Sequence, residues 1–282
     1  MQRRTFLQST IALSACTSPL AALAASTPAA IIDTNVYLGS HPFHSPPLEN
    51  PGQLATKLRS LGITSAWAAP MESLLHRDLD RINADHAQLC QQHDLFTAIG
   101  SINPKLPDWQ ESLRRCHQVH RMAGIRLHPA YHGYQLDDPD FKKLLSEVSQ
   151  RNLLMQIAPH MEDKRTQHPK AVVPATDPSP LLELLPNFKN LRIQIINGLR
   201  TITNKKLQTG LAALGVHFDI SMLEGVAGIA RCTIPAKRLC YGSYAPVFIP
   251  EAAALKVTES APDISKQQLN ALLHGNAEKL IA

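Results

Sequence analysis

The chain has 282 residues, of which 44% are hydrophobic and 18% are charged, and its formal net charge is +5. This length suits one large α/β domain or two small ones, and the ordinary apolar content indicates a globular domain of enzyme size. Arg3 and Arg4 lie in an N-terminal segment without acidic residues, so residues 26–282 carry a charge of about +3 (5 − 2). The lysines and arginines of that part are scattered rather than striped, which argues against nucleic-acid binding.

Residues 1–25 have the pattern of an export signal peptide. Arg3-Arg4 stands before Thr5-Phe6-Leu7, an apolar run follows, and Ala22-Leu23-Ala24 forms a small-x-small cleavage site. The arginine pair with its following Phe-Leu resembles the twin-arginine signal, which directs folded proteins to export. We therefore expect cleavage near residue 25, release into the periplasm or the medium, and a single domain in residues 26–282.

The same segment has a second interpretation as a lipoprotein signal. Leu13-Ser14-Ala15-Cys16 resembles a lipoprotein box, which would leave Cys16 as a lipidated N-terminus. We prefer plain cleavage because the apolar stretch before Cys16 is short. A membrane-spanning helix is excluded, since the sequence contains no run of about 20 apolar residues.

Short apolar runs alternate with amphipathic segments along the rest of the chain. The predicted strands are residues 31–39, 63–69, 95–102, 123–127, 153–157, 191–196, 216–221 and 239–242. The predicted helices are one that ends at 61–62, and then 74–93, 109–121, 142–152, 178–186, 205–214, 225–232 and 266–281. Eight strands alternating with helices over about 255 residues predict an α/β fold, a single (β/α)8 barrel. The alternative is a doubly wound open sheet, but no G-x-G-x-x-G phosphate turn follows a predicted strand.

The stretch from Met122 to Pro169 contains the candidate active site. Two apolar runs, AGIRL and LLMQI, flank the helix at 142–152 and make a β-α-β unit with parallel strands. Polar residues gather after each strand, at the carboxyl end where parallel α/β folds bind ligands. They are Arg126, His128, Tyr131, His132 and Tyr134, and then His160, Glu162, Asp163, Arg165 and His168.

Several motifs resemble those of the amidohydrolase-related barrels (amidohydrolase 2 type), a branch that holds small metal-dependent hydrolases and decarboxylases. They are Ile32-Asp33-Thr34, Gly124-Ile125-Arg126-Leu127-His128-Pro129 followed by Leu136-Asp137-Asp138-Pro139, Gly242-Ser243 with Pro246, and Gly275-Asn276-Ala277. The segments HPAYHGYQLDDP, MEDKRTQHP and LEGVAGIAR resemble an exported subgroup of these proteins. The resemblance runs from residue 30 to the C-terminus and implies a TIM barrel.

The resemblance also implies a divalent metal, but the implied ligand positions have changed. The family has His-x-His on the first strand, His after the fifth and sixth strands, and Asp after the eighth. This sequence has Asn35, Tyr37, Ala158, Asn197 and Tyr244 there. Catalytic zinc takes about three His or carboxylate ligands, which an amide or a neutral phenol replaces poorly. We therefore predict no catalytic metal and no other cofactor. The alternative is a set of substitute ligands such as His41, His128, His132 and His160.

The fourth strand and two aspartates carry the predicted proton chemistry. Arg126 and His128 are two positions apart, so their side chains share one face. If that face looks inward, Arg126 suits a substrate carboxylate, and a structural salt bridge is the alternative. His128 is a candidate general acid or base, with loop capping as its alternative. Asp33 and Asp219 are candidate proton-transfer partners, and a hydrogen-bonded structural role is the alternative for Asp33.

The segment after the fifth strand is densely charged, and a solvated turn is the usual explanation for such a run. Because it lies at the ligand-binding end, we predict that Glu162 or Asp163 orients a histidine and that Arg165 binds an anion. The guanidinium groups of Arg126 and Arg165 would then converge over the barrel mouth. The other predicted substrate-binding residues are His132, Tyr134, His160, Asn35, Asn197 and Tyr244.

Other catalytic classes lack their motifs. No G-x-S-x-G elbow is present, which argues against a serine hydrolase. Cys90, Cys116, Cys232 and Cys240 show no C-x-x-C spacing, which argues against a cysteine metal site. We expect these four cysteines to be buried free thiols, and a Cys90–Cys116 disulfide is the alternative.

Three functional hypotheses follow. The preferred one is a metal-independent enzyme of amidohydrolase type, which hydrolyses a small carboxylate-bearing substrate or cleaves one of its C–C bonds. Arg126 and Arg165 would hold the anion, and His128 with Asp33 or Asp219 would move protons. The second is a non-catalytic binding barrel that has kept the pocket. The third is a metalloenzyme with substitute ligands. In each case the expected partner is a small molecule, and for the preferred enzyme it is an anion.

Overall fold

The computed structural model describes residues 30–41, 43, 45–163, 165–188 and 190–282, so the predicted export signal and Cys16 lie outside the described residues. Eight strands form one parallel sheet in the order β1 to β8, and each strand pairs with the next in sequence. They are β1 (Ile31–Leu38), β2 (Ile63–Pro70), β3 (Phe96–Ser101), β4 (Gly124–Leu127), β5 (Leu154–Ile157), β6 (Arg192–Ile195), β7 (His217–Asp219) and β8 (Leu239–Cys240).

Backbone hydrogen bonds between β1 and the residues after β8 close the sheet. The N–H of Thr34 donates to the carbonyl of Tyr241 at 2.9 Å, and the N–H of Tyr244 donates to the carbonyl of Asn35 at 2.8 Å. Val36 also forms a parallel bridge with Ala245. Eight parallel strands with helices between them and a closed seam confirm the predicted (β/α)8 barrel.

Helices connect the strands and cover the outside of the barrel. They are α1 (Pro51–Ser60), α2 (Leu79–Gln91), α3 (Trp109–Arg114), α4 (Pro129–His132), α5 (Pro139–Gln150), α6 (Leu181–Leu184), α7 (Lys205–Ala213), α8 (Gly228–Arg231), α9 (Glu251–Ser260), α10 (Lys266–Asn270) and α11 (Asn276–Ile281). In the described part of the chain, none of these helices combines the length and apolarity that a membrane span requires.

Several helices differ from the sequence prediction, and among them the short α4 was not predicted. The helix predicted at 74–93 is α2, and it begins at Leu79 because the Asp78 carboxylate caps it by accepting the N–H of Arg81 at 3.1 Å. α9 lies outside the predicted helices. Its buried face includes Ala253 and Ala254, and such small side chains give the sequence no strong apolar stripe.

The strands alternate between two environments, as the pleat requires. Outward side chains such as Val36, Ile125 and Phe218 pack against the helices in one hydrophobic core. Inward side chains such as Tyr37 and Trp67 form a second cluster inside the barrel. The candidate site lies at the carboxyl end of this inner cluster.

Buried polar side chains cross the barrel beneath the candidate site. Gln156 Nε2 donates to Thr34 O at 2.7 Å and to Gln194 Oε1 at 2.8 Å, and Gln194 Nε2 donates to Thr34 Oγ1 at 2.7 Å. The Thr34 hydroxyl donates in turn to Tyr241 O at 2.8 Å. These hydrogen bonds offset the cost of burying polar groups, and they join β1, β5, β6 and the segment after β8.

All four cysteines of the described chain are free thiols, namely Cys90, Cys116, Cys232 and Cys240. Burial raises the pKa of Cys90 and of Cys116 to about 12, so both thiols stay protonated at neutral pH. The structure therefore contains the expected free thiols rather than the alternative disulfide, but Cys232 is only partly buried, which corrects the expectation for that residue.

Candidate active site at the carboxyl end of the barrel

The carboxyl ends of the strands bring together many of the polar residues that the sequence placed there. Asn35 and Tyr37 belong to β1, His128 follows β4, Asn197 follows β6 and Asp219 ends β7. All five side chains are buried. We call the carboxyl end of the barrel interior, where these five side chains lie, the rim. Parallel strands that end together direct their inward side chains toward the barrel axis, so one polar site draws on four strands.

Arg126 points into the barrel, the orientation that its predicted role required, but its guanidinium already donates hydrogen bonds to protein acceptors. Its hydrogen bonds go to Gln156 Oε1 (2.9 Å), Val36 O (2.9 Å), Thr34 O (3.3 Å) and Trp67 O (3.3 Å). These account for most of the five N–H donors of an arginine. The structure therefore contradicts the prediction that the Arg126 guanidinium is available to bind a substrate carboxylate. The alternative, a structural salt bridge, is also not found, since no described acid pairs with Arg126. Arg126 is instead a buried cation beneath the rim.

His128 and Tyr37 form a hydrogen-bonded pair above Arg126. Tyr37 Oη lies 2.9 Å from His128 Nε2, and the Arg126 guanidinium carbon lies 4.4 Å from the centre of the Tyr37 ring. Burial raises the pKa of Tyr37 to about 12, although the Arg126 charge opposes that shift. Burial lowers the pKa of His128 well below its usual range. At neutral pH the pair therefore joins a protonated phenol to a neutral imidazole, an acid beside a base.

Asn35 connects three strands at the rim. Its Nδ2 donates to Asn197 Oδ1 at 2.7 Å and to Asp219 Oδ2 at 2.8 Å. Asp219 Oδ1 accepts the N–H of Asn197 at 2.8 Å, and Ser221 Oγ donates to Asn197 Oδ1 at 3.0 Å. Asn197 has a φ of 58°, a left-handed conformation that asparagine tolerates. Burial raises the pKa of Asp219, and these hydrogen bonds oppose the shift. Both oxygens of Asp219 thus bind amide groups.

Asp33 joins the first strand to the segment that follows the last one. Its Oδ1 accepts the N–H of Asn35 at 3.1 Å and the N–H of Ser243 at 2.9 Å. Burial raises the pKa of Asp33 to about 7, although the hydrogen bonds from Ser243 and Asn35 act in the opposite direction. These contacts fit the structural role, and a pKa near neutrality also suits proton transfer.

Met161 fills the centre of the rim, although no sequence pattern marked it. Its sulfur lies 3.5 Å from Tyr37 Oη and 3.9 Å from Asn197 Nδ2. Its carbonyl accepts the hydroxyl proton of Tyr244 at 2.9 Å. The rings of Tyr37 and Tyr244 meet edge to face, with centres 5.8 Å apart. An apolar residue in a loop has no periodicity, so only the structure reveals this position.

Contacts between described residues join the loop after β1 to the loop after β5. His41 Nε2 lies 2.8 Å from Glu162 Oε1, and both side chains are nearly buried. The ring of Phe43 stacks on His168, with centres 4.4 Å apart and planes 7° apart. The Glu162 charge adds to the effect of burial in raising the pKa of Tyr244, so this pair lies next to the rim. Glu162 therefore holds a histidine, which is one of the two predicted arrangements.

Asp163 and Arg165 lie outside the buried site. The Arg165 side chain is 80% exposed and donates to both Asp163 oxygens, at 3.0 and 2.8 Å. Arg200 Nη2 also lies 3.2 Å from Asp163, so the partners of Asp163 in the described chain are arginines. The hydrogen bond from Arg165 lowers the pKa of Asp163. The structure contradicts the predicted convergence of Arg126 and Arg165, and these residues form the solvated turn that was the alternative.

The other three predicted residues near β4 and β5 differ in position. Tyr134 packs on Phe141, with ring centres 6.2 Å apart, in the outer core, which corrects its predicted place in the pocket wall. His132 lies beside the site, because its ring centre is 5.8 Å from that of His128 and its Nε2 is 2.9 Å from the carbonyl of Ser73. His160 is half-buried, and burial lowers its pKa.

The rim does not fit the divalent metal that the family resemblance implies. Among the described residues, no three His, Cys, Asp or Glu side chains are grouped closely enough to hold a metal ion. Of the substitute ligands, His41 binds Glu162 and His132 contacts a backbone carbonyl. Asn35 places an amide donor between oxygens of Asn197 and Asp219, and a donor nitrogen has no lone pair for a cation. These groups suit hydrogen bonding rather than coordination.

Comparisons with solved structures agree with the barrel. No family model matches the sequence, and no curated protein is significantly similar to it. The 2,6-dihydroxybenzoate decarboxylase from Rhizobium has a TM-score of 0.71 and 14% identity, over 89% of this chain and 98% of that one. The 5-carboxyvanillate decarboxylase from Sphingomonas paucimobilis has a TM-score of 0.66 and 13% identity, over 90% and 99%. A protein described as amidohydrolase II has a TM-score of 0.65 and 16% identity, over 89% and 99%.

These similarities span nearly the whole of each chain, so they concern the complete barrel rather than one β-α unit. The TM-scores demonstrate a shared fold. Because the sequence identity is low, the function of this chain has to be argued from the groups at the rim. The chain therefore has the same TIM-barrel fold as these two decarboxylases and the protein described as amidohydrolase II.

Proposed function

We propose that this protein is an enzyme, a lyase that removes a carboxylate group from a small carboxylated substrate at the rim without a catalytic metal. The observation that carries the proposal is the Tyr37–His128 pair, in which a protonated phenol lies 2.9 Å from a neutral imidazole. Loss of a carboxylate requires an acid that delivers a proton to carbon and a second group that restores that acid. This pair supplies both.

The proposed reaction breaks the bond between the carboxylate carbon and the substrate carbon that bears it. Carbon dioxide leaves, the electron pair of the broken bond stays on the substrate carbon, and that carbon takes the proton of Tyr37 Oη. His128 then returns a proton to Tyr37 from Nε2 and gains one at Nδ1, which has no protein partner in the described chain. Water supplies this proton, the one that the overall reaction consumes. The Arg126 charge stabilises the transient phenolate, because a nearby cation favours the ionised form.

The acids of the site have supporting roles in this proposal. Asp33, with a pKa of about 7, is a proton reservoir near the rim. Asp219 positions Asn35 and Asn197, and Glu162 positions His41. Because Asp219 binds amides through both oxygens, it is poorly placed to activate a water molecule. This favours C–C lysis over hydrolysis of a lactone or ester.

The solved structures of the same fold support the substrate class. Two of them are named decarboxylases of 2,6-dihydroxybenzoate and of 5-carboxyvanillate, which are carboxylated aromatic acids. The absence of family-type ligands at the rim supports chemistry through phenol, imidazole and amide groups in place of a metal. A second candidate function is a binding barrel without turnover, and it is favoured by one observation, that Met161 fills the centre of the rim.

A turnover assay tests the proposal. The wild type is incubated with a panel of small carboxylated aromatics that includes 2,6-dihydroxybenzoate and 5-carboxyvanillate, in the presence of a chelator, and release of carbon dioxide is measured. We expect Tyr37→Phe and His128→Gln to lower kcat at least about a hundredfold. Tyr241→Phe is the matched control, because Tyr241 is equally buried and its hydroxyl has no partner in the described chain. Saturable binding without turnover by the wild type favours the binding barrel, and full activity of Tyr37→Phe contradicts the proposed acid.

A further inference from the structure

Polar side chains from three parts of the barrel contact one residue, Met161, at the centre of the rim. Its sulfur lies 3.5 Å from Tyr37 Oη, 3.8 Å from Tyr244 Oη and 3.9 Å from Asn197 Nδ2. Its carbonyl oxygen also accepts the hydroxyl proton of Tyr244 at 2.9 Å. Met161 and these three residues are all buried. Polar groups that follow or belong to β1, β6 and β8 thus meet at a single residue, and the donors of Tyr37 and Asn197 face its thioether.

A thioether is a poor partner for these donors. Its sulfur accepts hydrogen bonds weakly, whereas a charged oxygen accepts them strongly. Buried polar groups normally have good partners, so donors directed at a thioether mark a place where a better acceptor can enter. The buried groups without a protein partner in the described chain include one donor, Trp67 Nε1, and two acceptors, Asn35 Oδ1 and Asp33 Oδ2. The preference for an anion therefore comes from the donors that face the Met161 sulfur.

The charges around Met161 favour an anion. Arg126 lies beneath the Tyr37 ring, and its hydrogen bonds go to carbonyl and amide oxygens, so no described carboxylate cancels its charge. Asp219 is held by amides, and burial raises its pKa, which disfavours its negative form. The Glu162 carboxylate, at the edge of the rim, is engaged by His41.

The chain around Met161 allows it to leave. Met161 lies in the connection from β5 to α6, and the described residues of that connection form neither helix nor strand. Displacement of Met161 would therefore break no backbone hydrogen bonds between neighbouring strands of the barrel. The contacts that hold the connection come from side chains and from turns, among them the Glu162–His41 pair and the N–H of Thr176, which donates to Pro159 O at 2.8 Å.

We infer that Met161 is a displaceable plug, and that a substrate carboxylate binds in its place and accepts hydrogen bonds from Tyr37 and Asn197. This rests on the proposed function only in taking the carboxylate to be that of the substrate, because binding can be measured without turnover. Met161 then determines specificity. A neutral ligand of the same shape gains little from the donors or from Arg126, and it does not displace the thioether.

Methyl NMR of the whole protein tests the displacement, with benzoate as the probe and benzyl alcohol as its neutral control. The chain has six methionines, so labelling their methyl groups with ¹³C gives a simple spectrum, and Met161→Leu assigns the Met161 signal. We expect benzoate to move the Met161 signal saturably and to leave that of Met222, another methionine of the inner cluster, in place. Failure of benzoate to bind, or saturable binding with an unmoved Met161 signal, overturns the inference.

Removal of the plug provides the second test. We expect Met161→Ala to bind benzoate about tenfold more tightly than the wild type and benzyl alcohol less than about twofold more tightly. Met222→Ala is the matched control and should bind both ligands as the wild type does. Adding Tyr37→Phe to Met161→Ala should cost about tenfold in benzoate affinity, because it removes a donor that faces the Met161 sulfur.

An equal gain for benzoate and benzyl alcohol in Met161→Ala would mean that a simple cavity has been opened, and it overturns the inference. If the alanine variant does not fold, Met161→Val shortens the plug and is judged by the same comparison. Benzoate binding with plug displacement, but without carbon dioxide release from any carboxylate of the panel, removes the proposed lyase activity and leaves this binding site standing. The two conclusions therefore fail separately.

Discussion

The side-chain nitrogen Nδ2 of Asn35 donates to Asp219 Oδ2 at 2.8 Å, and this hydrogen bond joins β1 to β7 across the rim. The same nitrogen donates to Asn197 Oδ1 at 2.7 Å, so one side chain amide serves three strand ends. A buried carboxylate that loses a donor retains its cost of desolvation without compensation. Asn35 therefore supports both the charge of Asp219 and the geometry of the rim.

Replacement of Asn35 should be costly for this reason. We expect Asn35→Ala to lower the free energy of unfolding by about 2–4 kcal/mol, measured by urea denaturation. Asn83→Ala is the matched control, because Asn83 is also buried and makes two hydrogen bonds, but only to the backbone of Ser101. It should lose about 1–2 kcal/mol. Equal losses in the two variants would show that Asn35 gives Asp219 no special support.

The raised pKa of Asp33 predicts a pH dependence of stability. Because burial raises the pKa from 3.8 to about 7, the folded protein binds the proton more tightly than the unfolded chain does. The contribution of Asp33 to stability is complete below about pH 4 and is lost as the pH rises to about 7, with a total of about 4 kcal/mol. Asp33→Asn removes the titration and should gain stability relative to the wild type over that range. A constant difference between the two unfolding free energies would contradict this.

Arg126 and Arg165 should differ sharply when each is replaced by methionine. Arg126→Met leaves the acceptors on Gln156, Val36 and Thr34 without their donor inside the barrel. We expect a loss of about 3–5 kcal/mol in the free energy of unfolding, by the same denaturation experiment. Arg165→Met changes an exposed residue and should leave stability and benzoate affinity unchanged. Stability of Arg126→Met equal to that of the wild type would show that its hydrogen bonds are dispensable.

The character of the rim also predicts its metal content. Asn35, Tyr37, Ala158, Asn197 and Tyr244 stand where the family resemblance implies ligands, and amide and phenol groups coordinate zinc, manganese and iron poorly. We expect elemental analysis of the purified protein to find less than one such ion per chain. Treatment with a chelator should leave the Tm and benzoate binding unchanged. One ion per chain that survives dialysis, and whose removal abolishes benzoate binding, would refute a metal-independent site.

The strand positions could be predicted from sequence because they follow from local patterns. The strand predicted at 123–127 is Gly124–Leu127, and the one predicted at 153–157 is Leu154–Ile157. Each is a short apolar run with polar residues directly after it. The parallel order of the strands then placed His128, Asn35 and Asn197 at one end of the barrel without further information.

The partners of those residues could not be predicted, because they depend on distances between remote parts of the chain. Arg126 and the carbonyl of Val36 are 90 positions apart, and Tyr244 and the carbonyl of Met161 are 83 apart. Whether a buried arginine binds substrate or backbone depends on which carbonyls face it. One signal was available, since Asn35 and Asn197 replace two implied ligands with amides that can bond to each other.

The short last strand has a consequence for synthesis of the chain. β8 spans only Leu239–Cys240, and Tyr241, just after it, donates its N–H to the carbonyl of Leu272 and accepts that of Thr34. Until these late residues have left the ribosome, β1 remains an unpaired strand edge, and such edges recruit other chains. A nascent chain that stalls before residue 239 is therefore exposed to aggregation along β1, whereas release of the final helices lets the ring of strands close.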